Sequence, residues 1–240
     1  MRKLAVAAVS SLLLVVPQAA RAQQESGVDP FLRPAPPPER DSGFTLALRL
    51  GLGIPFGDTS ADASGTATPL GDQLQSQIPI WIDVGYRFAR SWFVGAYLHL
   101  GVGMVNQDKA AGGNVCNQPG VSCKGSDVRL GVEGTYSFSP GQSFNPWIGL
   151  GTGYEWASLQ GESSTLNGEF TFKGWEYFTV QVGGDFSLSR VFALGPFASF
   201  GLGQYSSANV TFGSTTFSGD IANKKVHGWL QLGVKGTLNL

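Results

Sequence analysis

Charge is scarce in this chain. Asp, Glu, Lys and Arg make up 14% of its 240 residues, where a soluble domain carries about 25%. The 16 basic and 17 acidic residues nearly cancel, so nothing argues for a nucleic-acid partner. Histidine and cysteine are rarer still, with two of each. That leaves little material for a metal centre or an activated nucleophile. A long apolar run is also missing. The longest, Leu4–Val16, falls short of the ~20 residues that take a helix across a bilayer. Yet hydrophobic residues reach 42%, which excludes the low-hydrophobicity signature of a disordered chain.

The one apolar run has a local explanation. Arg2 and Lys3 precede it, and Ala20-Arg21-Ala22 follows as a small-x-small cleavage site. Together they read as a secretory signal peptide over residues 1–22, cleaved after Ala22. Residues 23–42, with their prolines and polar residues, read as a flexible or polyproline-like lead-in. An exported chain meets an oxidising compartment, so Cys116 and Cys123 are expected to form a local disulfide. A metal pair is the alternative, and no His or further Cys lies close by to support it.

What is plentiful is glycine, at 34 residues, and apolar residues at every second position. From Phe44 to Phe56 the even positions read Phe, Leu, Leu, Leu, Leu, Ile, Phe. The odd ones are Thr45, Ala47, Arg49, Gly51, Gly53 and Pro55. A period of two is a strand with two different faces. Glycine-rich pieces recur about every 50 residues, at Arg49, His99, Gly149 and Ser199. Each repeat holds two alternating stretches. The strands are expected near 44–56, 77–88, 92–105, 127–138, 145–157, 175–188, 192–205 and 226–240. Connections after the first, third, fifth and seventh are long and polar; the others are tight. A kelch-type propeller shares the period but packs four short strands into each unit. Long strands favour hairpins with all long loops at one end.

Alternation alone does not say which face is inside. Bulk decides. Eight rows of Leu, Ile, Val and Phe would overfill an eight-stranded bore, which side chains barely fill. Glycine suits a crowded lumen wall. The aromatics agree. Phe44, Tyr86, Phe88, Trp92, Tyr136, Phe138, Phe186 and Phe192 gather on the outward phase at the short-turn end. Phe56, Tyr154 and Trp156 do so at the long-loop end. Two aromatic girdles around an aliphatic band mark lipid interfaces. The expected fold is all-β: an eight-stranded antiparallel up-and-down transmembrane β-barrel over 43–240, with short periplasmic turns and long extracellular loops.

The same phase predicts what lies inside. Arg49, Arg87, Arg129 and Lys235 face Asp83, Glu133, Glu155 and Asp185, with His99, Gln181, Trp81, Trp147, Tyr97 and Phe197 beside them. An unpaired charge in such a bore is costly. Four bases against four acids are expected to pair and plug it. A structural network is one role for them; a proton or ion path is the other.

The signal peptide, the alternating strands, the run Pro146–Trp156 and the final strand "GVKGTLNL" together resemble the eight-stranded outer-membrane barrel family of Gram-negative bacteria, with its OmpA-type and OmpX-type domains. The resemblance covers residues 43–240. It implies an outer-membrane location, membrane lipids and lipopolysaccharide as surroundings, and a monomer. It also implies recognition of the last strand by the outer-membrane assembly machinery. That family commonly ends in an aromatic residue, and this chain ends in Leu240.

No chemistry stands out. "GLGTG" at Gly149 continues into a strand, not the helix that a phosphate loop requires. His227 with Ser206 or Ser207 and Asp220 is the one conceivable hydrolytic set, and no spacing pattern supports it. No catalytic residue, metal or cofactor is expected. The expected function is a structural or surface-binding role through the loops. A narrow channel or lateral conduit for small hydrophobic molecules is the alternative, and a lipid-modifying enzyme the third.

Overall fold

The computed structural model describes residues 42–110, 116–163 and 167–240. The expected signal peptide, and the lead-in up to residue 41, lie outside the described residues. In chain order the elements are β1 (Gly43–Ala61), β2 (Ala67–Pro69), α1 (Leu70–Gln73), β3 (Leu74–Phe88), β4 (Trp92–Val105), β5 (Ser122–Ser137), β6 (Phe144–Glu162), β7 (Asn167–Ser187), β8 (Phe192–Phe212), β9 (Thr215–Asp220) and β10 (Val226–Asn239).

Eight of the strands form a closed antiparallel ring. The order is β1, β3, β4, β5, β6, β7, β8, β10, and β10 returns to β1 from the pair Thr45–Asn239 to Gly57–His227. Closure leaves no unpaired edge, which is what a sheet needs inside a bilayer. No helix among the described residues is long and apolar enough to cross a membrane; the strands do so. The alternation of β1 lies as its sequence reads. Leu46, Leu48, Leu50, Leu52 and Ile54 are exposed, while Ala47 and Arg49 are buried. The exposed aliphatic band continues around the ring through Ile80, Val94, Val132, Leu150, Val182 and Leu232. Burying such a band in acyl chains is favourable, at about 25 cal/mol per Å².

Aromatic rings bracket the band. At the short-turn end Phe44 meets Tyr86 at 5.5 Å, Trp92 meets Tyr136 at 4.9 Å, and Phe144 meets Phe186 at 4.9 Å. At the other end Tyr154 lies 4.8 Å from Trp156 and 5.4 Å from Trp175. The glycines give the lumen its space. A methyl group on Gly153 would stand 2.4 Å from the Tyr97 hydroxyl, and one on Gly101 2.0 Å from the Gln77 amide oxygen.

Several strands outrun their expected limits. β6, β7 and β8 are 19, 21 and 21 residues long, about twice what a tilted crossing needs. The expected long loop after the fifth strand is mostly β6 and β7 paired as far as Glu162 and Asn167. The one after the seventh holds β9, hydrogen-bonded to β8. The first loop contains β2 and α1. Five strands, β5 to β9, therefore continue as a one-sided sheet above the membrane band.

Candidate functional site

The bore is filled in tiers. Nearest the short turns, the Lys235 ammonium is 3.8 Å from an Asp185 oxygen and 3.9 Å from the centre of the Trp147 ring. Trp147 Nε1 donates to Asp185 at 2.9 Å. Arg87, half-buried, lines a recess here with Asp83, Glu133 and Thr237. The recess measures about 20 Å³, room for one water.

Arg49 holds the next tier. Its Nε donates to Asp83 at 2.7 Å. Its Nη2 donates to both oxygens of Glu133, at 2.7 and 2.9 Å, and its Nη1 to Gln181. Gln181 donates on to Glu133 at 2.9 Å. Trp81, Phe197 and Trp147 ring the guanidinium at 4.8, 5.7 and 5.8 Å. The lone arginine of the first strand is thus shared between two carboxylates and walled by aromatic faces.

Arg129 repeats the arrangement one tier higher. It donates to Asp127 at 2.5 Å and to Glu176 at 3.1 Å, and reaches Glu155 at 3.7 Å. Glu176 also accepts from Tyr97 and Thr179. His99 Nδ1 stands 3.6 Å from Asp127, and Gln231 approaches its other nitrogen at 3.3 Å. Above this tier Glu155 takes three donors: Tyr205 at 2.7 Å, Trp229 at 3.2 Å and His227 at 3.1 Å. Tyr205 stacks on His227 at 3.8 Å.

The top is apolar. Leu70 of α1 and Leu74 of β3 pack with Ala157, Tyr205 and Trp229, and Val105, Phe172 and Ile221 flank them. A second cluster joins Ala110, Cys116 and Leu159 to Phe170. The Cys116–Cys123 disulfide is present, with Cα atoms 5.6 Å apart. It pins the connection between β4 and β5 against the inner side of the protruding sheet. The connection before β10 is tied down too. The Ala61 N–H donates to the Asn223 carbonyl, and Asn223 to the Asp62 carbonyl. The Ser64 hydroxyl, with the N–H groups of Ser64 and Thr66, binds the Asp62 carboxylate and holds it below the usual carboxylate range.

The expected balance of four bases against four acids needs correcting. Six acids are buried, because Asp127 and Glu176 join Asp83, Glu133, Glu155 and Asp185. Asp127 stands beside His99 and Arg129, Glu176 takes Arg129, and the second histidine, His227, is buried inside against Glu155. Sequence reasoning missed Glu176 for a definite reason. β7 carries a bulge between Glu176 and Phe178, opposite Gly151–Gly153 of β6. Counting by twos from Gln181 puts Glu176 outside; the extra residue turns it in. Asp127 was in phase with Arg129 and lay at the expected start of its strand. The conceivable hydrolytic set does not assemble: His227 binds Glu155, and the Ser206 hydroxyl donates to the Lys173 carbonyl.

No protein-family model matches the sequence, and no curated protein matches it either. Among solved structures the fold is similar to that of Neisserial surface protein A, at 14% identity and TM-score 0.44, covering 84% of this chain and 100% of that one. It is similar to a major outer membrane protein from Thermus thermophilus, at 12% identity and TM-score 0.48, covering 80% and 99%. It is also similar to the outer membrane protein OprG from Pseudomonas aeruginosa, at 15% identity and TM-score 0.45, covering 84% and 99%. By its closed ladder and its lipid-facing band, this chain is an eight-stranded transmembrane β-barrel.

Proposed function

We propose that the protein is a non-conducting, non-enzymatic barrel of the bacterial outer membrane, and that its work is done by its outer surface and loop-bearing end. What supports this is the filled lumen. From the Lys235–Asp185 contact through the Arg49 and Arg129 tiers to the Leu70–Trp229 cap, each level is occupied by buried side chains. An ion entering would have to displace charge pairs already made, in a bore whose recess holds about one water. The rigid wall then serves as a scaffold for loops, the usual place for binding function. The test is planar-bilayer recording of purified, refolded protein. No single-channel steps are expected; steady steps would remove this reading.

One observation favours a lateral conduit for small hydrophobic molecules as the second reading. The β1–β3 ladder runs from Gly43–Arg87 to Leu50–Ile80, skips Gly51 and Leu52, and ends at Gly53–Gln77. Pro79 sits in the gap and lacks a backbone donor. A wall opening at this seam would lead from the apolar cap to lipid. Leu52→Cys with Ile78→Cys places a cross-link across it. Entry of a small aromatic into protein-bearing vesicles that stops on oxidation and resumes on reduction would favour the conduit. Entry no faster than into bare vesicles would exclude it.

A further inference from the structure

The sheet of β5 to β9 above the membrane band has two unlike faces. Its inner face is apolar. Leu159, Phe170 and Phe172 point to the loop clusters. Val210 and Phe217 are cross-strand partners on the same side. Its outer face is the continuation of the lipid-facing surface, since the outward positions of β6 run Leu150, Thr152, Tyr154, Trp156, Ser158, Gln160 and Glu162 without a break in phase. Above Trp156 the chemistry changes abruptly. One cross-strand row reads Ser158, Thr171, Asn209, Ser218. The next reads Gln160, Glu169, Thr211, Thr216. Every outward position of these strands above the Trp156–Lys173 pair is polar.

The rows are held as a surface. Ser158 and Thr171 hydroxyls meet at 2.9 Å, and those of Thr211 and Thr216 at 3.0 Å. With its amide oriented for best pairing, Asn209 joins Lys173 at 3.0 Å and Ser218 at 3.1 Å. Lys124 pairs with Glu162 at 3.4 Å. The cations are therefore engaged within the face, which offers mainly hydroxyls and amides at the ~4.8 Å strand spacing, with the Glu169 carboxylate among them accepting from Thr171 and Gln160. Short side chains lose little rotamer entropy on binding. The face runs about 20 Å along β6 beyond Trp156, at roughly 3.4 Å per residue over six residues. It begins at the aromatic girdle, where Trp175 and Tyr177 are more than half exposed.

We propose that this face docks the uncharged sugars of a membrane glycolipid in the same leaflet, with Thr171, Asn209 and Thr211 at its centre. Continuity with the lipid-facing band selects the partner: the molecule touching the face is the headgroup of the lipid touching the band below. Charge selects the part of that headgroup. Lysines already paired to Glu162 and Asn209 do not form a phosphate cluster, whereas an array of hydroxyls and amides matches polyols. This deepens the surface role proposed above.

The test uses full-length mature protein in detergent, with the triple variant Thr171→Val, Asn209→Val, Thr211→Val. Valine keeps strand preference, and heat-modifiable gel migration verifies that the variant is folded. Three probes are compared: lipopolysaccharide carrying its sugars, the same lipid stripped to its acylated, phosphorylated disaccharide, and the water-soluble saccharide released from it. Wild type is expected to bind the first at least tenfold more tightly than the second and to bind the third measurably. The variant is expected to lose that preference about tenfold. Equal binding of the stripped lipid, or a folded variant that binds as wild type does, overturns the proposal. Either failure leaves the bilayer recording silent. Conductance, conversely, would sink the non-conducting barrel and leave the saccharide result readable on its own.

Discussion

Arg49 is the residue on which the interior turns. It serves Asp83, Glu133 and Gln181 at once and is itself buried. Removing it leaves two carboxylates in a dry bore without their cation. Breaking a buried pair from one side costs about 3–5 kcal/mol. Arg49→Met is expected to lower unfolding stability in detergent by that order, read as a shift in the guanidinium midpoint. Adding Asp83→Asn should recover part of the loss, because the two sites share one network. An unchanged midpoint in Arg49→Met would mean that the tier is ornamental. At this scale much was legible beforehand. Arg49, Asp83, Glu133 and Arg129 sit on strict alternation, and alternation is a steric property of any strand. Glu176 was illegible because a bulge is set by the local backbone, not by the pattern around it.

At the scale of elements, the upper halves of β6 to β9 were hidden by an inversion. Within the membrane a strand is apolar outside and glycine or charge inside. Above it, the outside turns to Ser, Thr and Gln, while the inside becomes Ala157, Leu159, Phe170 and Phe172. Tracking apolar residues as outward loses the strand where the solvent changes. The alternation persisted throughout, with its meaning reversed. The same inner face explains the disulfide. Cys116 packs with Ala110 and Leu159, so the bridge fastens a connection to the protruding sheet and touches no lumen charge. A loop this short contributes about 2–3 kcal/mol in the chain-entropy view. Cys116→Ser with Cys123→Ser is expected to expose the stretch between β4 and β5 to limited proteolysis while leaving the barrel's unfolding midpoint in place. A joint fall of both would mean that cap and barrel unfold as one unit.

For the whole molecule the decisive fact is closure. The recurrence near every 50 residues follows from it: two crossings and a long connection make one unit, and four units bring the eighth strand back to the first. The sequence pattern predicts eight strands closed into a barrel, and the structure adds the register by which β10 lies against β1. That requires the run of pairs from Thr45–Asn239 to Gly57–His227 to form at a separation of nearly the whole barrel. A closed ladder has no end from which to fray, so it should survive mild detergent and open only on strong heating. Unboiled mature protein is expected to run as a compact species on a denaturing gel, and boiled protein as a slower one, with a sharp conversion between them. Removing residues 226–240 takes away β10 and leaves β1 and β8 with free edges. The fast species should then vanish at every temperature, because backbone groups of both neighbours would face lipid unpaired. A truncated chain that still showed the fast species would mean that closure through β10 is not what holds the molecule together.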